Sequence, residues 1–201
     1  MDPTCKGIFI VIEGIDGTGK STQARLLRDA FARAGREVIL SREPTDSEYG
    51  RLLRESANRG RRSLEEELDL FVKDRTQHVE TLINPALAQG KVVILDRYFY
   101  STLAYQGSRG GDVGQLKSEM ERRFPIPDAV FVLDMDPAVS RQRIAASRPR
   151  PDEFESPEGL RRARAIFQSL SDPFLTHVDA TGSPAEVHDK SLSALRSSGR
   201  L

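Results

Sequence analysis

Between residues 14 and 21 the chain reads Gly14-Ile15-Asp16-Gly17-Thr18-Gly19-Lys20-Ser21, in which a lysine and a hydroxyl residue follow two glycines spaced five apart. Glycines so placed allow a turn whose backbone N–H groups converge on phosphate oxygens. The lysine adds a point charge for β- and γ-phosphates, and the serine hydroxyl is a ligand for Mg2+. This chemistry needs a strand before the turn and a helix after it. The run Ile8-Phe9-Ile10-Val11-Ile12 supplies a buried strand ending at Glu13, and Ala24, Leu27, Ala30, Phe31 and Ala34 recur on one face of a helix beginning near Lys20. The positive end of that helix dipole is aimed at the same anion. The residues Gly14 to Thr22 therefore read as a P-loop for a nucleoside triphosphate with Mg2+.

A second cluster follows the apolar run Val92-Val93-Ile94-Leu95, which releases Asp96 and Arg97 at its end. In an open parallel sheet ligands bind at the carboxyl edge of the strands, so both side chains are expected beside the P-loop. Asp96 suits a Mg2+ hydration shell and pairs with Ser21 as the predicted metal site, while the planar fork of Arg97 suits a phosphate. The segment Ser41-Arg42-Glu43-Pro44 repeats the arrangement after another apolar run. Two such deliveries imply two anionic ligands, as a protein transferring phosphate between nucleotides requires.

The elements that must position these residues are legible as apolar runs alternating with amphipathic stretches. Residues 8–12, 38–40, 91–95, 129–133 and 174–178 lack clean alternation, which points to strands covered on both faces and hence a parallel sheet. Gly35 closes the first helix, Ser63 before Leu64-Glu65-Glu66 caps a long one, and Gly90 follows its end. Pro85 within that stretch is expected to kink the helix or divide it. The fold class is α/β, a three-layer P-loop NTPase fold with a five-stranded parallel sheet flanked by helices, as one domain over residues 1–201. A short lid is expected at about residues 147–157, where Pro149, Pro151 and Pro157 sit among mixed charges.

The 201 residues carry 30 basic and 30 acidic side chains, which gives no surface built for nucleic acid or an anionic membrane. One cysteine, Cys5, excludes an internal disulfide and fits a reducing compartment. No apolar run reaches the length of a signal peptide core or membrane span, so a cytoplasmic location is expected. His78, His177 and His188 are scattered without ligand spacing, and no zinc site is expected. The Asn-Lys-x-Asp motif of a guanine-nucleotide switch does not occur.

Five segments together, Gly14 to Thr22, Arg42-Glu43-Pro44, Leu70 to His78, Asp96-Arg97-Tyr98 and Ser101 to Gly107, resemble the thymidylate kinase family in order and spacing over nearly the whole chain. The resemblance implies transfer of the ATP γ-phosphoryl group to thymidine monophosphate, and a homodimer. It implies that Phe71 stacks on thymine, Arg75 bonds a thymine carbonyl, and Thr102 and Gln106 lie around the base. It further implies that Tyr105 presses on the deoxyribose, excluding a 2′-hydroxyl, that Asp16 reaches the acceptor sugar or phosphate, and that Arg97 grips the acceptor phosphate. A kinase for another nucleoside monophosphate or a deoxynucleoside is the rival within the same chemistry; a degenerate nucleotide-binding module is the rival outside it.

Family members without a basic residue in the P-loop, the case here with Gly17, usually take catalytic arginines from the lid, often in an Asp-Arg pair. This chain has Asp152-Glu153 there. Arg148 and Arg150 are the expected substitutes alongside Lys20, Arg97 and Asp16, with Arg161, Arg162 and Arg164 of the next helix held in reserve.

Overall fold

A computed structural model of the chain describes residues 6–147 and 156–201. The lid arginines Arg148 and Arg150 lie outside the described residues. Five parallel strands form one sheet: β1 (Ile8–Gly14), β2 (Val38–Arg42), β3 (Val92–Asp96), β4 (Ala129–Asp134) and β5 (Leu175–Asp179), in the order β2-β3-β1-β4-β5. The runs that lack alternation are thus strands with two apolar faces. Alternate residues of β1 divide between two cores. Phe9 and Val11 join one, and Ile10 and Ile12 the other.

Helices α1 (Lys20–Arg33) and α9 (Pro184–Ser197) cover one face through Ala24, Leu27, Phe31, Val187, Leu192 and Leu195. The other face is covered by α5 (Phe99–Gly107), α6 (Val113–Arg123), α8 (Pro157–Ser169) and the helical path from α3 (Leu64–His78) to α4 (Asn84–Ala88). Helices α2 (Glu48–Arg59) and α7 (Pro137–Ser147) flank the carboxyl edge. Ser63 caps α3 in a reciprocal box with Glu66, as its spacing suggests. Pro85 does not break the path. A π-helical turn over Val79–Ile83 precedes it, and the Asn84 N–H reaches back to the Val79 carbonyl. The wider turn makes room for a ring that can neither donate to the preceding turn nor pack closely on it.

The register brings the chemistry to one edge. Arg42 pairs with Asp96, Ile12 with Asp96 on the other side, and Gly14 with Leu133, so the strands end together where the P-loop begins. The turn itself requires glycine. Gly14 has φ 132° and lies against the Leu133 carbonyl, leaving no space for a Cβ; Gly17 has φ 80°, and a Cβ there would stand 2.5 Å from the Ser140 carbonyl oxygen. Gly14→Ala is expected to lower stability by about 2–3 kcal/mol through backbone strain and the carbonyl clash. Thermal unfolding should read this as a midpoint roughly 4–12 °C lower. An unchanged midpoint would show that the turn tolerates a side chain.

Candidate active site

Two adjoining cavities open at the carboxyl edge, and Asp16 and Arg97 line both. The first is the P-loop cavity, formed by Gly17, Gly19, Lys20, Ser21 and Thr22 with Asp96 from β3 and Arg143 and Ile144 from α7. Gly19, at φ 96°, begins α1 without a side-chain cap, which leaves the first-turn N–H groups for an anion. The Thr18 hydroxyl closes the turn onto the Ile15 carbonyl at 2.9 Å, and the Ser140 hydroxyl on α7 fastens the Asp16 carbonyl. Lys20 is curled over the loop, its Nζ donating to the Ile15 carbonyl at 2.8 Å. Burial, reinforced by the neighbouring Arg97 charge, pulls its amine down to about 8. Ser21 donates its hydroxyl to Asp96 Oδ2, so the predicted metal ligands stand together.

The second cavity is lined by Glu43, Pro44, Phe71, Arg75, Thr102, Tyr105 and Gln106, all singled out in the sequence, and by Leu53, Arg54, Tyr98 and Ser101. Phe71 and Arg75, one helical turn apart on α3, both face it. Arg75 is 1% exposed. Its Nε donates to Glu43 Oε2 at 2.8 Å, one terminal nitrogen to the Thr102 hydroxyl at 3.1 Å and the other to the Met120 sulfur at 3.4 Å, with the guanidinium 5.2 Å from the Tyr98 ring centre. Glu43 Oε1 meets His78 Nδ1 at 3.1 Å, and His78 Nε2 meets the Ser41 hydroxyl at 2.9 Å. Glu43 is therefore the residue that holds Arg75. Gln106 donates its amide nitrogen to the buried Glu67 at 3.2 Å, and its Oε1 is buried without a hydrogen-bond partner among the described residues. Glu67 in turn is held by Arg61 and Arg109, each 2.6 Å away.

Where the cavities meet, Arg97 pairs with Asp16, donates to the Ser101 hydroxyl at 3.1 Å and lies 5.2 Å from the Tyr105 ring centre. Its backbone is left-handed, φ 72°, a conformation that favours glycine. Tyr105 donates its hydroxyl to the second Asp16 oxygen at 2.6 Å. Burial alone would raise the Asp16 carboxyl, yet the Arg97 and Lys20 charges hold it well below the usual range.

Arg42 is not brought to either lining; its side chain is 66% exposed and faces Asp46 at 3.4 Å. In the reserve helix, Arg164 is bound through two nitrogens to Asp134 at 2.7 and 2.9 Å, and Arg162 pairs with Glu158. Sequence reasoning missed Arg143, which sits at the P-loop cavity with its guanidinium near the Ala180 and Thr181 carbonyls at 3.4 and 3.5 Å. It missed Arg54 and Leu53 as well, because no spacing on α2 marks a residue that folding brings to the opposite wall. Glu13 carried a readable signal, an acid ending an apolar strand.

The family profile described as thymidylate kinase matches residues 12–191. The chain belongs to the thymidylate kinase family. It is 46% identical to a thymidylate kinase of Akkermansia muciniphila over 190 residues, 94% of this chain and 92% of that relative. It is 46% identical to one of Xanthomonas euvesicatoria over 90% of this chain and 80% of the relative, and 45% identical to one of Xanthomonas campestris over 93% and 82%. The family is one of nucleoside monophosphate kinases, so this chain is a phosphotransferase with ATP as phosphate donor. No described helix is long and apolar enough to cross a membrane.

The position of Lys20 makes a linkage prediction. Below about pH 8 the amine is charged before nucleotide arrives; above it the free site has lost that charge, and a bound triphosphate restores it by raising the pKa. Calorimetry at about pH 8.5, in buffers of different ionisation enthalpy, should show uptake of roughly half a proton or more on ATP binding. Uptake should be small near pH 7 and absent in Lys20→Ala. Equal heats in all buffers would show that Lys20 stays charged throughout.

Proposed function

We propose that the chain transfers the γ-phosphoryl group of ATP to the phosphate of thymidine monophosphate, yielding thymidine diphosphate and ADP. The observation that carries this reading is the meeting of the two cavities at Asp16 and Arg97, beside Lys20. A phosphate held by Arg97 in the second cavity lies next to whatever phosphate the P-loop cradles. An oxygen of the acceptor monophosphate, already anionic, attacks the γ-phosphorus, and the bond to the β-γ bridging oxygen breaks to release ADP. No general base is needed. Alignment and charge stabilisation by Lys20, Arg97 and the lid arginines Arg148 and Arg150 are left to accelerate the step.

Asp96 and Ser21 present oxygen ligands of the kind a hard divalent cation takes, and they would hold Mg2+, whose charge neutralises the phosphates when bound. In the acceptor cavity, Phe71 offers a flat face for a pyrimidine, and Arg75 a donor for a ring carbonyl. The unpartnered Gln106 oxygen is an acceptor that a thymine N3–H, direct or through water, would satisfy. Tyr105, fixed through its hydroxyl to Asp16, packs against the deoxyribose. Asp16 answers the sugar or its phosphate region. We extend the proposal to a single kinase domain with a lid near residues 147–157, working in the cytoplasm as a homodimer without a nucleic-acid partner.

A panel of nucleoside monophosphates with ATP and Mg2+ tests the reading. Thymidine monophosphate should exceed its ribose counterpart, and Tyr105→Ala should narrow that gap; equal turnover of both sugars by the wild type would refute the packing against deoxyribose. Replacing Arg148 and Arg150 together by Ala should lower turnover at least about tenfold, since arginines that neutralise transition-state charge contribute on the order of 10³–10⁵ in related systems. Acceptor affinity without ATP should change much less. Unchanged turnover would return the assignment to the helix that follows.

A further inference from the structure

Glu13 is the last side chain of the buried β1 run before the P-loop turn, and the mechanism above leaves it without a role. It is 0% exposed. One carboxylate oxygen accepts from the backbone N–H of Tyr98 at 2.8 Å and of Ser101 at 3.1 Å, and the Ser101 hydroxyl donates to the other at 2.6 Å. Helix α5 thus receives its N-terminal cap from a neighbouring strand, while Tyr98 at the cap position supplies none. Ser101 also accepts from the Arg97 guanidinium at 3.1 Å. A continuous chain of hydrogen bonds therefore runs from the strand that carries the P-loop to the cation shared by both cavities. The Arg97 N–H is tied to the same strand, at the Ile12 carbonyl, at 2.9 Å.

Stability does not explain a carboxylate in this place. Burial pushes the Glu13 carboxyl up to about 7 in spite of the Ser101 hydroxyl, the Arg97 charge and the two backbone N–H groups. A small polar residue at position 98 would cap α5 without burying an acid. What the carboxylate supplies is direction. Once ionised, above about pH 7, the carboxylate only accepts, so the Ser101 hydrogen points to it and the serine lone pairs are left facing Arg97.

We propose that Glu13 is a positioning residue for phosphoryl transfer, acting through Ser101 to hold the Arg97 guanidinium where the acceptor phosphate docks. The proposal rests on the acceptor reading given above. In Glu13→Gln the amide oxygen still accepts from the Tyr98 and Ser101 backbone. Its NH2 group, however, donates to the serine oxygen, so the Ser101 hydrogen is no longer drawn away from Arg97 and the negative charge behind the link is gone. The helix cap survives, and the anchor of the guanidinium loses its fixed direction.

Calorimetric affinities for thymidine monophosphate and for thymidine, with steady-state kinetics, test this in Glu13→Gln. Binding of the monophosphate and kcat/KM for it should fall about tenfold, the scale of one lost hydrogen bond to a charged group. Thymidine affinity and the KM for ATP should stay within about twofold of wild type. Equal losses for nucleoside and nucleotide would reduce Glu13 to a structural residue and overturn the proposal, as would no loss for either. If Glu13→Gln fails to fold, Ser101→Ala keeps Glu13 and both backbone N–H bonds while cutting the link to Arg97. The same selective loss is expected there, and full retention of the monophosphate preference overturns the proposal. A wild-type protein that neither prefers the monophosphate to thymidine nor phosphorylates it would overturn the acceptor assignment itself, and this proposal with it.

Discussion

The contact between Asp16 and Arg97 is the hinge of the arrangement, because it is where the P-loop meets the helix that lines the second cavity. Asp16 arrives on a glycine turn that only a parallel sheet edge can present, and Arg97 arrives in a left-handed conformation immediately after β3. Such a conformation costs of order 1–3 kcal/mol and persists only where the surroundings over-determine it. They do so here. The Arg97 N–H is bound to β1, its side chain is held by Asp16 and Ser101, and Tyr105 stands beside it. The backbone thus fixes a cation where the two cavities meet, as the proposed transfer between two phosphates would require.

Around that point the protein buries charge more freely than folding alone favours. Glu43 with Arg75 and His78, and Glu67 with Arg61 and Arg109, are ionic clusters inside or against the core. Apolar substitutes of similar volume are often as stabilising as a buried ion pair, whereas removing one member leaves an uncompensated charge. The return is geometric. Glu43 holds the Arg75 fork against Thr102, and Glu67 determines which end of the Gln106 amide is left without a partner. Donors and acceptors so fixed would, on the proposed acceptor reading, distinguish one base edge from another, which a looser apolar wall could not do.

The same economy governs the P-loop. Lys20 rests on the Ile15 carbonyl and Ser21 on Asp96, so the groups proposed to handle phosphate and cation already have partners that a ligand would replace. An unpaired ammonium in this enclosed site would be costly, and the loop carbonyl is a weak enough partner to be displaced by a triphosphate.

The sequence by itself determined the sheet, the P-loop and the capping of α3 by Ser63, because these rest on local rules, whereas most of the lining of the second cavity was legible only through the resemblance to a known family. Apolar runs without alternation mark strands covered on both faces; glycine spacing marks a turn that no other residue can make; Phe71 and Arg75 share a helix face. It left open whether Pro85 breaks its helix, since room for the ring depends on a π turn that packing stabilises. It placed Arg42 with Glu43 at the site, although the strand delivers them to different surroundings, Arg42 to solvent and Glu43 to Arg75. Only the tertiary structure brought Arg54, Leu53 and Arg143 to the cavity walls, and only it turned Glu13 from an acid at the end of a strand into the cap of α5. The division follows the range of the interactions: spacing along a chain records what neighbours in sequence must do, whereas a side chain's partner from a distant segment exists only once the sheet order has brought the two together.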